Sequence, residues 1–228
     1  MNSQKKDNFW SGDDWEIANQ RPEEKFDHPR GYWTKERILR LLKAKGQARI
    51  QHKLSSTTLN HLYQHFGSFE ALEEENITAI DIGCGLGFSV DILLDQGMRV
   101  VGIDLLEDMI SLSLQRPSIR TAIKAGQFHL VLANATHLPF RKKVYSIALS
   151  ISAVQWIIDS EDIRRFAQDL HLVLENQAHL AFQLFPKSKV SLKQFGMTIQ
   201  RAGFEGGIVI DNPDNPKKRR FYIIMKKK

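Results

Sequence analysis

The residues best suited to chemistry stand in one short run, Asp81-Ile82-Gly83-Cys84-Gly85-Leu86-Gly87. Glycines at alternate positions let a backbone approach a ligand closely. Three nucleotide chemistries compete for such a loop. A phosphate-cradling P-loop requires Gly-Lys-Ser/Thr, which is absent. The dinucleotide fingerprint is GxGxxG; here the spacing is GxGxG, with Phe88 where its third glycine belongs. The third reading is D-x-G-x-G-x-G with an acid closing the following strand. Asp104 lies 17 residues after Gly87, and a carboxylate there can accept both hydroxyls of a ribose. With no pyrophosphate to hold, the loop can take a zwitterionic amino-acid end. Those requirements match S-adenosylmethionine, and Asp81, Gly83, Gly85, Gly87 and Asp104 are the residues expected to hold it.

Such a loop needs a strand before it and a helix after it, and the hydrophobic pattern supplies both. Residues 77–82 read as a short buried strand. Residues 88–96 read as a helix with Val90, Leu93 and Leu94 inward and Gly97 as its stop. The pattern then repeats: a strand over 99–103, a helix over 108–115, strands over 128–132 and 145–151. A helix over 159–174, a strand over 179–185 and a helix over 190–202 follow, the last stopped by Gly203. Strands over 207–211 and 220–225 are joined by the turn-rich stretch 212–218. Alternating strand and helix predicts an α/β fold with a parallel sheet covered on both faces. The last link is too short for a crossover helix, so the final pair should be antiparallel. Upstream, Thr34 is an N-cap candidate for a helix with Ile38, Leu41 and Leu42 on one face. A second helix should start near Ser55 or Ser56, bury Leu59, Leu62, Tyr63 and Phe66, and end at Gly67. The organisation expected is a flexible segment over 1–20, a basic helical lid over 21–67 and the main domain over 68–228.

The chain has 228 residues, 42% hydrophobic and 25% charged, an average globular composition. The uncharged run 144–158 has 15 residues, and no run free of Asp, Glu, Lys and Arg exceeds 16; a membrane span needs about 18 or more. The opening MNSQKKDNFW lacks the apolar stretch of a secretory signal. Cys84 is the one cysteine, which excludes an internal disulfide, a cysteine-based zinc cluster and methylation chemistry needing paired cysteines. It reads as a small packed residue in a reducing, intracellular setting. His61 and His65 share a helix face, yet no HExxH or cysteine partner accompanies them, so no metal is expected. Net charge is +6. Residues 25–53 hold nine Lys/Arg against Asp27 and Glu36, and residues 217–228 hold seven and no acid. Two basic poles around a near-neutral middle suggest a nucleic-acid footprint; two solvated surfaces are the plainer alternative.

The fourth strand leads into Ser150-Ile151-Ser152-Ala153-Val154-Gln155-Trp156. An Asn/Asp-Pro-Pro-aromatic signature, which marks attack by an exocyclic amine, is absent. No Ser-His-Asp set or carboxylate pair is readable. A ring nitrogen with a free lone pair, such as guanine N7, carries no proton to remove and needs positioning instead of a base. Trp156 could stack a flipped base and Gln155 could bond its edge; alternatively Trp156 packs in the core.

Residues 77–226 resemble the class I methyltransferase family. Ser150 to Trp156, Gln183-Leu184-Phe185-Pro186, the Ala-Gly-Phe-Glu-Gly-Gly block from Ala202 and Lys217-Lys218-Arg219-Arg220-Phe221-Tyr222 narrow the likeness. They are similar to the small-subunit (18S-type) rRNA guanine-N7 methyltransferases of ribosome biogenesis. Arg21-Pro22-Glu23 and Arg49-Ile50-Gln51-His52 extend it into the N-terminal segment. The resemblance implies a Rossmann-like, mostly parallel seven-stranded sheet with helices on both faces and an antiparallel terminal strand. It implies S-adenosyl-L-methionine as cofactor, with Cys84, Leu105, Asn134, Ala135 and Ser150 added to the residues holding it. Asn134 stands where the family often has an aspartate that reads the adenine amino group. On the substrate side it implies Ser152, Gln155, Trp156 and Phe185, with no catalytic acid or base. The implied partners are small-subunit rRNA or the pre-ribosome, and a small zinc-binding activator that forms a heterodimer. The activator would pair with the uncharged edge strand 128–132 and cover Phe128, Leu130 and Leu132. The implied place is the cytoplasm, or the nucleus and nucleolus in a eukaryote. Two rivals stand beside this reading: a small-molecule or carboxyl methyltransferase, and a non-catalytic assembly factor that keeps the fold. A nicotinamide oxidoreductase is disfavoured by the glycine spacing.

Overall fold

The computed structural model describes residues 20–26, 28–44, 46–67 and 77–228. Nearly all of the expected flexible segment, and residues 68–76 at the expected start of the main domain, lie outside them. Seven strands form one sheet: β1 (Thr78–Ile82), β2 (Arg99–Asp104), β3 (Phe128–Leu132), β4 (Tyr145–Ile151), β5 (Leu174–Leu184), β6 (Phe204–Asp211) and β7 (Arg220–Lys227). Their order is β3-β2-β1-β4-β5-β7-β6. The first five run parallel. β7 runs antiparallel to both neighbours, as the short 212–218 link requires. β4 is buried along its whole length, which is why its sequence shows no polar alternation beyond small serines.

Helices cover both faces. α8 (Ser160–Val173) and α9 (Lys189–Arg201) bury Phe166, Leu170, Leu192, Phe195 and Ile199 against one face. On the other, α4 (Gln47–Phe66), α5 (Phe88–Asp95) and α7 (Pro117–Lys124) bury Leu59, Leu62, Val90, Leu93 and Ile119. The short helices α1 (Pro22–Lys25) and α2 (Pro29–Tyr32) lead into α3 (Lys35–Lys43). There Thr34 accepts the Arg37 N–H at 3.4 Å, as an N-cap does. A third cluster seats Ile38 of α3 against Leu86, Phe88 and the apolar face of α6 (Glu107–Ser113). The N-terminal helices are thereby held over the glycine turn.

Three expectations fail in instructive ways. α4 starts at Gln47, well before Ser55. The Ser55 and Thr58 hydroxyls donate to the carbonyls of Gln51 and Leu54 at 2.9 and 2.7 Å. Hydroxyls bonded four residues back sit inside a helix instead of capping it. α7 was not expected; Pro117 at its first turn sets the backbone for a helix start. β5 begins at Leu174, five residues early, because Leu174 pairs with Tyr145 before the register shifts. Gln177, with φ 66°, absorbs that irregularity.

Candidate active site

The strand order reverses between β1 and β4, where a crevice opens outside the carboxyl ends of the strands. The turn leaving β1 enters that crevice. At Gly83, φ is +70° and a Cβ would lie 2.2 Å from that of Ala153. Only glycine fits where the turns after β1 and β4 touch. The N–H groups of Gly83 and Cys84 both donate to the Ile103 carbonyl at 2.9 Å, tying the turn to the end of β2. There Asp104 is 8% exposed. Its Oδ2 accepts the Gly85 N–H and its Oδ1 the Leu106 N–H, each at 2.9 Å. Burial pushes its carboxyl up to about 6 against these backbone donors.

Asp81 lies beneath the turn, fully buried. Its Oδ2 accepts the Ser89 hydroxyl at 2.6 Å, and its Oδ1 has no hydrogen-bond partner among the described residues. Burial pushes it up to about 7; Ser89 opposes the shift and the Asp104 charge adds to it. Cys84 is buried too, and burial raises its thiol well above the ordinary range. A Cβ on Gly102 would come within 2.8 Å of its sulfur, so Cys84 fills a packing niche.

The crevice encloses a cavity of about 320 Å³, within the range of small-molecule sites. Of the residues singled out from sequence, Gly83, Cys84, Gly85, Asp104 and Leu105 line it. Asn134, Ala135, Ser152 and Trp156 complete that set. Asp81, Gly87, Ser150, Gln155 and Phe185 are off its wall. Ser150 donates to the Ile82 carbonyl at 2.8 Å and cross-links β4 to β1. Gly87 starts α5. Gln155 donates to the Ser152 carbonyl at 2.9 Å inside a short 3-10 turn, Val154–Trp156. Phe185, beyond β5, accepts from the Arg21 guanidinium at its carbonyl and lies 5.7 Å from the Arg220 guanidinium.

Ser152 has φ 57°, uncommon for a residue with a side chain. Buried Gln183 holds it there. The Ser152 N–H donates to the Gln183 carbonyl at 2.9 Å and its hydroxyl to Gln183 Oε1 at 2.6 Å. Asn134 is exposed, and its Oδ1 accepts the Thr136 N–H at 3.0 Å. Trp156 is half-buried with its ring 5.7 Å from Tyr32. Tyr32 in turn meets Trp33 at 5.0 Å and the Arg37 guanidinium at 4.2 Å. An aromatic group with a cation on it therefore stands beside the cavity.

Sequence reasoning missed several lining residues. His28, Pro29, Trp33, Leu41 and Gln51 come from the N-terminal helices, and Asp162 from the first turn of α8. The signal available was the basic helical segment itself, without a register to say which residues turn inward. Asp91 anchors that segment. It accepts from His52 of α4 at 2.9 Å and from Ser118 at 3.0 Å, and it pairs with Arg116. Arg116 also donates to the Leu86 carbonyl at 2.9 Å and covers the Phe88 ring at 4.4 Å.

The C-terminal basic run is one cluster in sequence and two in space. Leu184 pairs with Phe221 and His179 with Lys226. Lys217 to Arg220 therefore lie at the carboxyl end of the sheet, on the cavity side, and Lys226 to Lys228 at the opposite end. Lys227 is buried and donates to the carbonyls of His171 and Leu174 at 2.6 and 2.8 Å. Strand β3 is at the sheet edge, as expected. Of the side chains proposed to face a partner, Phe128 is instead fully buried in the domain's own core, while Leu132 is 53% exposed. Among the described residues no helix is long and apolar enough to cross a membrane, and no cluster of three metal-binding side chains occurs.

A glycine turn after β1, an acid closing β2 and a cavity at the switch point of a β3-β2-β1-β4-β5-β7-β6 sheet are the features of the class I methyltransferase fold, and the chain has that fold. Residues 80–182 match the family model described as a methyltransferase domain. Within it, the chain is similar to the 18S rRNA (guanine-N(7))-methyltransferase bud23 of Schizosaccharomyces pombe, with 30% identity over 69% of this chain and 60% of that protein. It is 32% identical to the 18S rRNA (guanine-N(7))-methyltransferase of Bos taurus over 67% of this chain and 55% of that one. The chain thus spans little more than half the length of these relatives. Among solved structures, a SAM-dependent methyltransferase from Aquifex aeolicus matches with a TM-score of 0.62 and 16% identity, covering 86% of this chain and all of that one. The N-methyltransferase NodS from Bradyrhizobium japonicum matches at 0.63 and 10%, covering 85% and 98%. These structures share the fold.

Proposed function

We propose that this protein uses S-adenosylmethionine to methylate guanine N7 in small-subunit rRNA during ribosome assembly. The observation that carries the reading is the likeness to 18S rRNA guanine-N7 methyltransferases over about two thirds of the chain, 69% and 67% for the two relatives above. The residues present fit the cofactor. Asp104 is fixed by two backbone donors, and each of its oxygens keeps acceptor capacity for a ribose hydroxyl. Gly83 and Gly85 line the cavity beside it, where an amino-acid end would lie. When bound, the cofactor supplies an electrophilic methyl group on a sulfonium. The chain's own work is positioning. Trp156, with Tyr32 and Trp33 behind it, offers a stacking face for a purine. The N-terminal helices roof the cavity and exclude water. Gln183 holds Ser152 on the wall. Guanine N7 has no proton to lose, so the transfer asks for positioning and not for a base.

The exposed cations Lys35, Arg37, Arg40 and Lys43 belong to α3, the helix seated on Leu86 and Phe88 beside the glycine turn, and they suit a phosphate backbone. The partner reading is a small zinc-binding activator that adds to the open edge of β3 and covers Leu132. Size-exclusion with light scattering on the coexpressed pair checks it. The protein would then work where small subunits are assembled, in the cytoplasm or, in a eukaryote, in the nucleus and nucleolus. The test of function is mapping of 7-methylguanosine in small-subunit rRNA with and without this protein. One lost methylation on removal is the expected result. Transfer to small acids, with none to purified subunits, would replace rRNA by a small-molecule substrate.

A further inference from the structure

We infer that Asp162 is a positioning residue for the cofactor, its carboxylate accepting the exocyclic amino group of the adenine. The inference rests on the S-adenosylmethionine reading above. It starts from the face that α8 turns to the chain leaving β3. Asp169 accepts the Leu138 N–H at 2.9 Å, and one turn earlier the Arg165 guanidinium meets His137 Nε2 at 2.9 Å. Asp162 is the next residue on that face, since positions three and seven apart lie on one side of a helix. The facing chain runs in the same sense as α8, 137 and 138 standing against 165 and 169, so the residues before His137 come next: Asn134, Ala135 and Thr136. All four reach the cavity wall.

An amino group is a donor and needs an acceptor. Asn134 offers a single, uncharged acceptor atom. Its Oδ1 already accepts the Thr136 N–H and keeps one lone pair, and its Nδ2 is itself a donor. Asp162 offers a carboxylate, which only accepts when ionised. Its backbone N–H is engaged by Asp159 Oδ1 at 3.2 Å, and its carboxylate makes no hydrogen bond or ion pair among the described residues. The acid that the family often places at position 134 is thus supplied from α8.

The test compares two ligands by calorimetry: S-adenosylhomocysteine and its deaminated analogue S-inosylhomocysteine, whose six-position is a carbonyl. Asp162→Asn keeps the side-chain shape. It should weaken the adenosyl ligand by about tenfold and strengthen the inosyl ligand, because an amide can donate to a carbonyl. Asp162→Glu should restore the preference for adenine. Equal weakening of both ligands, or unchanged affinity for the adenosyl one, would overturn the assignment while leaving the cofactor reading intact. Failure of the unmodified protein to bind S-adenosylhomocysteine would overturn that reading, and the assignment with it.

Discussion

Two buried carboxylates, Asp81 and Asp104, lie under one glycine turn, and their environments divide their roles. Asp104 is on the cavity wall with both oxygens oriented by backbone donors. Replacing it with alanine should weaken S-adenosylhomocysteine at least about tenfold in calorimetry, since bonds to a charged acceptor are worth about 1.5–3 kcal/mol. Asp81 is off the wall and acts on stability. Folded, it keeps its proton up to about pH 7; unfolded, it loses it near pH 4. The folded chain therefore binds more protons between these limits. The stability this group contributes is complete below the lower limit and is lost as pH rises through the upper one. Asp81→Asn stays neutral throughout. Its melting temperature without ligand, minus that of the unmodified protein, should grow as pH rises from about 4 to about 7. A constant difference would mean that Asp81 is ionised in the folded protein at all these pH values.

At the scale of elements, the glycine block near the C-terminus marks a strand that crowds its neighbour. Gly206 in β6 has φ +138°, and a Cβ there would stand 2.3 Å from the Ile224 carbonyl oxygen of β7. Gly206→Ala should cost about 1–3 kcal/mol, read as a lower urea midpoint with an unchanged slope. Strands β1 to β4 and the turn between β1 and α5 were legible in the sequence because each carries a local signal, an apolar run or a glycine spacing. The start of α4 was not, because a serine before an apolar face reads equally as a cap or as an interior residue. Only the carbonyl four residues back decides. Likewise Asn134 was legible by its place after β3, whereas Asp162 was not. Its nearness to that loop depends on how α8 rotates against it, and no spacing within one chain segment encodes that rotation. Ser152 and Gln183 were both in view, but their pairing crosses two adjacent strands.

At the scale of the molecule, charge sorts by the ends of the sheet. The cations of α3 and those of Lys217 to Arg220 share the end that carries the cavity, while Lys226 to Lys228 are about 20 Å or more away along β7. Lys217 and Lys218 are exposed. Changing both to glutamine should weaken rRNA binding at low salt and reduce the salt slope of the logarithm of affinity by about one per lysine. Fluorescence anisotropy across a salt series measures it, and an unchanged slope would place the RNA elsewhere. The position of β7 has a different consequence, for synthesis. It follows β6 in the chain but lies between β5 and β6 in the sheet. As the chain is made from its N-terminus, β6 has no strand to pair with until β7 emerges, and one side of β5 stays open meanwhile. A nascent chain paused between them presents bare strand edges to every other nascent chain nearby. The interval between translating residue 211 and residue 227 is therefore the window in which this protein most needs a chaperone.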